Sequence, residues 1–173
     1  MKEQKGFSLI ELLIVVAIIL IIAAIAIPNL LRAKISANES SAVGSLRTIT
    51  TTEVQYSTTY GTGYSPLITN LGGATPCVAS AATACLIDPV LSAASPSTKS
   101  GYQFTEIPNT GAGTAINPFT GFETNATPLN VGSTGQRSFC VDQTGVIRFN
   151  TTGAAIGTGA GACAAIPAAQ VIQ

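Results

Sequence analysis

The 173-residue chain contains no His and no Trp, only 9% of it is charged, and its eight Lys and Arg are balanced by eight Asp and Glu. Without His, the side chain that titrates near neutrality and ligates metals most often is missing, which counts against enzymatic acid–base chemistry. The even charge leaves no basic surplus to neutralise a phosphate backbone, which argues against general nucleic-acid binding. Cys occurs at 77, 85, 140 and 163 with no C-x-x-C pair, so zinc ribbons and thioredoxin-like redox motifs are poorly supported. Asp88, Glu106, Glu123 and Asp142 are scattered and form no D-x-D-x-D-G loop for calcium, and a Ser–His–Asp triad would lack its His. No catalytic residue, metal ligand or cofactor is expected.

What is abundant is apolar sequence at one end. Residues 12–27 are all apolar, and with Phe7, Leu9 and Ile10 the stretch reaches about twenty residues, enough to cross a bilayer as a helix. Ahead of it lies the polar leader Met1-Lys2-Glu3-Gln4-Lys5-Gly6, whose two Lys the positive-inside rule keeps in the cytoplasm while the rest is exported. An ordinary secretory signal would share the basic start and the Ala24-Ile25-Ala26 site, but its apolar region would avoid a charge such as Glu11. A carboxylate costs about 2.5 to 3.5 kcal/mol at the centre of a membrane helix and less near the interface. Glu11 therefore calls for a partner, or for a place one turn into the helix where it answers the dipole and reaches the headgroups.

Gly6-Phe7-Ser8-Leu9-Ile10-Glu11, followed by LLIVVAIILIIAAIAIP and Asn29-Leu30-Leu31-Arg32, resembles the processing site and N-terminal helix of the type IV pilins. The resemblance implies that residues 1–6 are a leader removed by a prepilin peptidase, which cuts between Gly6 and Phe7 and methylates the new amino terminus of Phe7. It implies that residues 7–28 form a transmembrane helix that becomes the core of a filament. The implied partners are the lipid bilayer, identical pilin subunits, an inner-membrane assembly platform and minor pilins. The implied location is an inner-membrane pool followed by a surface filament, whose role among cell adhesion, twitching motility, DNA uptake and electron transport the sequence leaves open. Glu11 would pair with the Phe7 amine of a neighbouring subunit, because a charge in a dry bundle is tolerable mainly when paired. Pro28, which lacks an N–H and crowds the carbonyl four residues earlier, would kink or loosen the helix. The major pseudopilins of type II secretion share this N-terminal motif, typically with a calcium-binding C-terminal loop and no disulfide. A membrane-anchored exported binding or enzymatic domain is the alternative from another class.

After Pro28, Leu31, Ile35, Ala42, Leu46, Ile49, Tyr56 and Tyr60 recur at helical spacing, so one helix is expected to continue to near Tyr60. Its 29–60 half reads as amphipathic, with Arg32, Lys34, Glu39, Arg47 and Glu53 largely off the apolar stripe. The β-branched run at 48–52 is unfavourable for a helix. Tyr56, Tyr60 and Tyr64, four residues apart, read as core packing in preference to an electron path. Residues 61–173 form the expected head. Gly and Pro punctuate 61–100 as a connecting loop with at most a short helix at 88–93. Residues 101–107 alternate as a strand, and 137–142 and 146–149 read as a hairpin through Gln143-Thr144-Gly145. The expected fold is α+β, a long N-terminal helix with a small antiparallel sheet on its apolar stripe, which resembles the pilin roll.

An exported head permits disulfides, and four Cys allow three connectivities. The favoured pairs are Cys77–Cys85, closing a short loop, and Cys140–Cys163, tying a Gly/Ala-rich tail to a strand. The second cross-link would contribute about 3 kcal/mol for a loop of its length, and it resembles the C-terminal disulfide of many pilins.

Overall fold

The computed structural model describes residues 7–109, 111–157, 161–167 and 170–172. The chain divides into two compact units, Met1–Lys34 and Ile35–Gln173, and one helix, α1 (Leu9–Tyr60), contributes to both.

In the first unit α1 is apolar on every side from Leu12 to Ile27. The large apolar side chains of α1 in this unit stand in the open, from Leu31 at 43% to Leu9 at 79% exposure. A helix satisfies its own backbone N–H and C=O groups, so it can enter a hydrocarbon solvent, and side chains of this kind on all faces favour a dry environment. α1 continues through Pro28, where the missing N–H leaves the carbonyl one turn earlier without its usual donor.

In the second unit α1 presents one buried face. Residues 39, 42, 46, 49, 53 and 56 lie three or four apart, and all six are buried. Ala42, Leu46, Ile49 and Tyr56 belong to the apolar core. Glu39 and Glu53 share that face, although their charge suggests the solvent side. Position outweighs charge here because each carboxylate finds partners inside. The β-branched run is accommodated in the helix by back-bonding: Thr48, Thr50, Thr51 and Thr52 each donate a hydroxyl to the carbonyl four residues earlier, at 2.9–3.1 Å.

A five-stranded antiparallel sheet in the order β1-β2-β3-β4-β5 completes the α+β fold. Its strands are β1 (Ser97–Lys99), β2 (Tyr102–Pro108), β3 (Phe122–Pro128), β4 (Ser138–Asp142) and β5 (Arg148–Asn150). β1 and β3 lie outside the strands read from the sequence, and the short helix α2 (Ile68–Leu71) falls where a loop is expected. The expected helix at 88–93 is a turn, with Asp88 O accepting from the N–H groups of Leu91 and Ser92 at 3.2 Å. β1 and β2 are joined at Ser100 (φ 50°) and Gly101 (φ 75°), a two-residue turn that needs positive φ at both positions.

Register assigns the faces. Tyr102, Phe104 and Glu106 on β2 align with Pro128, Ala126 and Thr124 on β3, and these with Phe139 and Val141 on β4. Tyr102, Phe104, Ala126, Phe139 and Val141 share the core with α1. The opposite face carries Glu123 and Asn125 beside Asp142 and Cys140. A Gly/Ala-rich strap, residues 153–157 and 161–167, covers it. Ser138 Oγ donates to Ala154 O at 2.6 Å, and Asn125 Nδ2 donates to the carbonyls of Ile156 and Gly157 at 3.4 and 3.3 Å. Glu123 accepts the N–H groups of Gly161 and Cys163 at 3.2 and 3.0 Å. Burial pushes the Glu123 carboxyl up despite these donors, and the charge of Asp142 beside it acts in the same direction.

Glu39 joins the helix to the segment that leads into β4. It accepts Arg137 Nε at 2.9 Å and Nη2 at 2.6 Å, and the N–H groups of Gln136 and Arg137 at 2.9 and 3.1 Å. The same guanidinium lies 5.5 and 5.2 Å from the ring centroids of Phe139 and Phe149. Burial pushes the Glu39 carboxyl up, but Arg137 and the two backbone donors more than offset it and hold it below the usual range. A depressed carboxyl stabilises the fold above its unfolded pKa and loses that contribution as pH falls through the folded one. Glu39→Gln should therefore cost about 1–2 kcal/mol at neutral pH, after discounting for the half-exposed Arg137, and should flatten the acid limb of stability. Thermal melts of the full chain in detergent across the acid range check this; an acid limb identical to wild type would contradict it.

Candidate functional site

The start of α1 carries chemistry that the rest of the apolar helix lacks. Glu11 is the one charged residue between Phe7 and Leu31. It stands in the first turn, where a carboxylate complements the helix dipole. Its Oε2 accepts the N–H of Ser8 at 2.9 Å, and Ser8 O accepts the N–H of Leu12 at 3.3 Å. Ser8-Leu9-Ile10-Glu11 thus places Ser8 at the cap and Glu11 three residues on, the reciprocal arm of a capping box. The S-x-x-E spacing carries this in the sequence, and the role of Ser8 is a residue assignment that sequence reasoning missed.

This geometry gives Glu11 two uses. Within its own chain it fixes the first turn. Toward a second molecule it presents the single anion of an otherwise apolar surface, next to Phe7, whose side chain is 82% exposed. Gly6 and the remainder of the expected 1–6 leader lie outside the described residues. Pro28, the expected kink, is an interior residue of α1.

The four Cys occupy two different environments. Cys77 and Cys85 are bonded, with Cα atoms 6.0 Å apart, and both are exposed. Their loop is fastened to α2 by backbone bonds from Ala84 N–H to Asn70 O at 2.7 Å and from Cys85 N–H to Gly72 O at 3.2 Å. Cys140 and Cys163 are bonded with Cα atoms 5.7 Å apart, and neither has exposed surface. Ile156 is buried against them, with Ala162 and Ile166 alongside, so this bond sits in a small apolar cluster of its own between sheet and strap.

Tyr56 and Tyr60 pack with ring centroids 4.9 Å apart, while Tyr64 packs instead on Phe122 at 5.1 Å. Tyr56 is buried and donates its hydroxyl to Ala81 O at 2.7 Å. Among the described residues, no three of His, Cys, Asp and Glu gather in a way that could hold a metal ion.

Residues 1–27 match the family model of the prokaryotic N-terminal methylation motif. The chain is 62% identical over 40 residues to the type IV wide pilus major component PilA4 of Thermus thermophilus, an alignment covering 23% of this chain and 30% of that one. It is 79% identical over 29 residues to fimbrial proteins of Pseudomonas aeruginosa, covering 17% of this chain and 19% of theirs. The match thus spans less than a third of the length of these relatives, and within it the resemblance to type IV pilins is shown. No solved structure matches the chain.

The contrast between the two disulfides is directly measurable. Attack on a disulfide needs access to sulfur, so mild thiol reductant should open the exposed Cys77–Cys85 bond first and leave Cys140–Cys163 intact until the head unfolds. Timed alkylation followed by peptide mass spectrometry reads the order; equal rates, or Cys140–Cys163 opening first, would contradict it.

Proposed function

We propose that the chain is the structural subunit of a type IV pilus, most of whose length is a non-enzymatic head carried by an assembly helix. The observation that carries this reading is an N-terminal methylation motif leading into a helix whose apolar side chains are exposed on all faces with a single carboxylate at its start. A surface of that kind is supported by lipid before assembly and by neighbouring helices afterwards, so the two states exchange one dry environment for another.

In this reading a prepilin peptidase cuts between Gly6 and Phe7 and methylates the Phe7 amine. The helix then holds the precursor in the inner membrane with the head exported. An assembly platform, with minor pilins, draws identical copies into a surface filament. Glu11, already held at the helix start by Ser8, meets the Phe7 amine of a neighbouring copy. That pair neutralises both charges in the dry core and fixes the axial register, since a shift by one turn would leave a carboxylate and an ammonium buried alone. Pro28 supplies a point where α1 can bend as copies pack.

Two measurements test the proposal. Intact-mass and N-terminal peptide spectrometry on sheared surface material and on washed membranes should find a chain starting at methylated Phe7 in the sheared fraction. Its confinement to membranes would instead favour a pseudopilin, and cleavage after Ala26 would remove the filament reading. Glu11→Ala should leave the chain in the membrane while filament yield collapses; normal yield would eliminate the charge pair.

A further inference from the structure

The head contains two carboxyl groups buried together without a cation. Glu53 on α1 has no exposed surface and Glu106 on β2 is 4% exposed. Ser65, also fully buried, lies between them in the segment that follows α1. Its N–H donates to Glu53 Oε2 at 2.8 Å and its hydroxyl to Glu53 Oε1 at 2.5 Å. The hydroxyl oxygen is also 3.5 Å from Glu106 Oε1 and 3.2 Å from Leu67 O, but its single hydrogen serves one acceptor at a time. Glu106 Oε2 is buried and receives no donor. None of the ion pairs among the described residues involves either carboxyl.

Two carboxylates cannot both ionise at such a site, because each would be a buried charge raising the energy of the other. The hydrogen-bond pattern says which one keeps the proton. Glu53 already takes two donors from Ser65, the environment of an anion. Glu106 has a free oxygen and faces Glu53, the environment of an acid that donates. Burial pushes the Glu106 carboxyl well above its usual range, and its contact with Glu53 acts in the same direction.

We propose that Glu53 and Glu106 hold one shared proton as a latch joining α1, the Ser65 segment and β2, and that loss of this proton at alkaline pH opens the head along that seam. The ionisation moves one proton from the Glu106 carboxyl to water or hydroxide and leaves two facing anions, with no other covalent change. Among the described residues no Lys or Arg forms an ion pair with either. On α1 the adjoining titratable groups are Tyr56 and Tyr60; burial pushes the Tyr56 hydroxyl up, and the charge of Glu53 acts in the same direction. In the Ser65 segment Tyr64 packs on Phe122. On β2 the core-facing Tyr102 is influenced by Glu39 and Arg137. On β3 the residue opposite Glu106 is Thr124, which does not titrate, and Glu123 belongs to the strap-covered face. Because the folded chain keeps a proton that the unfolded chain has lost, stability is highest below the ordinary carboxyl pKa and declines as pH rises through the folded value.

Infrared spectra and thermal melts of the full chain in detergent micelles test the latch. At neutral pH the wild type should show an un-ionised carboxyl band that is missing from Glu106→Gln, and its melting temperature should fall on alkalinisation while that of Glu106→Gln stays level. Parallel alkaline limbs in the two proteins, or no such band in the wild type, would overturn the proposal. A band appearing only after a chelator is added would overturn it in favour of a bound cation. If Glu106→Gln does not fold, Glu123→Gln decides: the neutral-pH band should persist in it, and its loss there would overturn the proposal.

Discussion

The governing constraint is that a single helix has to satisfy two solvents. An α-helix closes its own backbone hydrogen bonds wherever it lies, so its side chains alone decide which surroundings it accepts. From Leu12 to Ile27 they are apolar on every face and favour a dry environment. From residue 39 to residue 56 one face is buried and the others are polar, which is what a sheet and water together can satisfy. The five strands, the strap and both disulfides serve the second condition. The single carboxylate at Glu11 and its cap at Ser8 punctuate the first.

The head meets its condition with few large side chains. Aromatic residues make up 6% of the chain, and most of the largest buried ones, Tyr102, Phe104, Phe122 and Phe139, come from three neighbouring strands. A sheet with so small a core would ordinarily leave one face in water. Here that face is polar but still covered, because the strap brings backbone, not side chains, to Ser138, Asn125 and Glu123. Gly and Ala let its peptide groups approach closely enough for those side chains to bond them. Little hydrophobic area is gained, and the Cys140–Cys163 bond supplies a constraint that packing does not.

Much of this was legible from residues alone, for physical reasons that differ by element. Glu11 stood out because a charge within an apolar run is expensive, and α1 because its apolar spacing persists to Tyr60. β2 and β4 carry enough aromatic and β-branched residues to read as strands. β3, with the sequence Phe-Glu-Thr-Asn-Ala-Thr-Pro, does not, since its inward positions on both faces include polar side chains whose partners arrive from distant segments. β1 is three residues long and follows a Pro-rich loop. Glu39 and Glu53 show the converse error. Their spacing puts them on the buried face of α1, but their charge argues for water, and the partners that reverse the argument, Arg137 and Ser65, lie 98 and 12 residues away.

The placement of the acids has an electrophoretic consequence. The formal charge is zero, yet Glu39, Glu53, Glu106, Glu123 and Asp142 are all buried, and Asp88 is engaged by Lys99 at 2.9 Å. Arg32, Lys34 and Arg47 are exposed. Titration counts all residues alike, but water and large polyions meet only those at the surface. Among the described residues the exposed charges outside these ion pairs are those three cations and the single anion Glu11, so retention on a cation exchanger should exceed what the sequence isoelectric point of about 6.2 implies, and unfolding should abolish the difference.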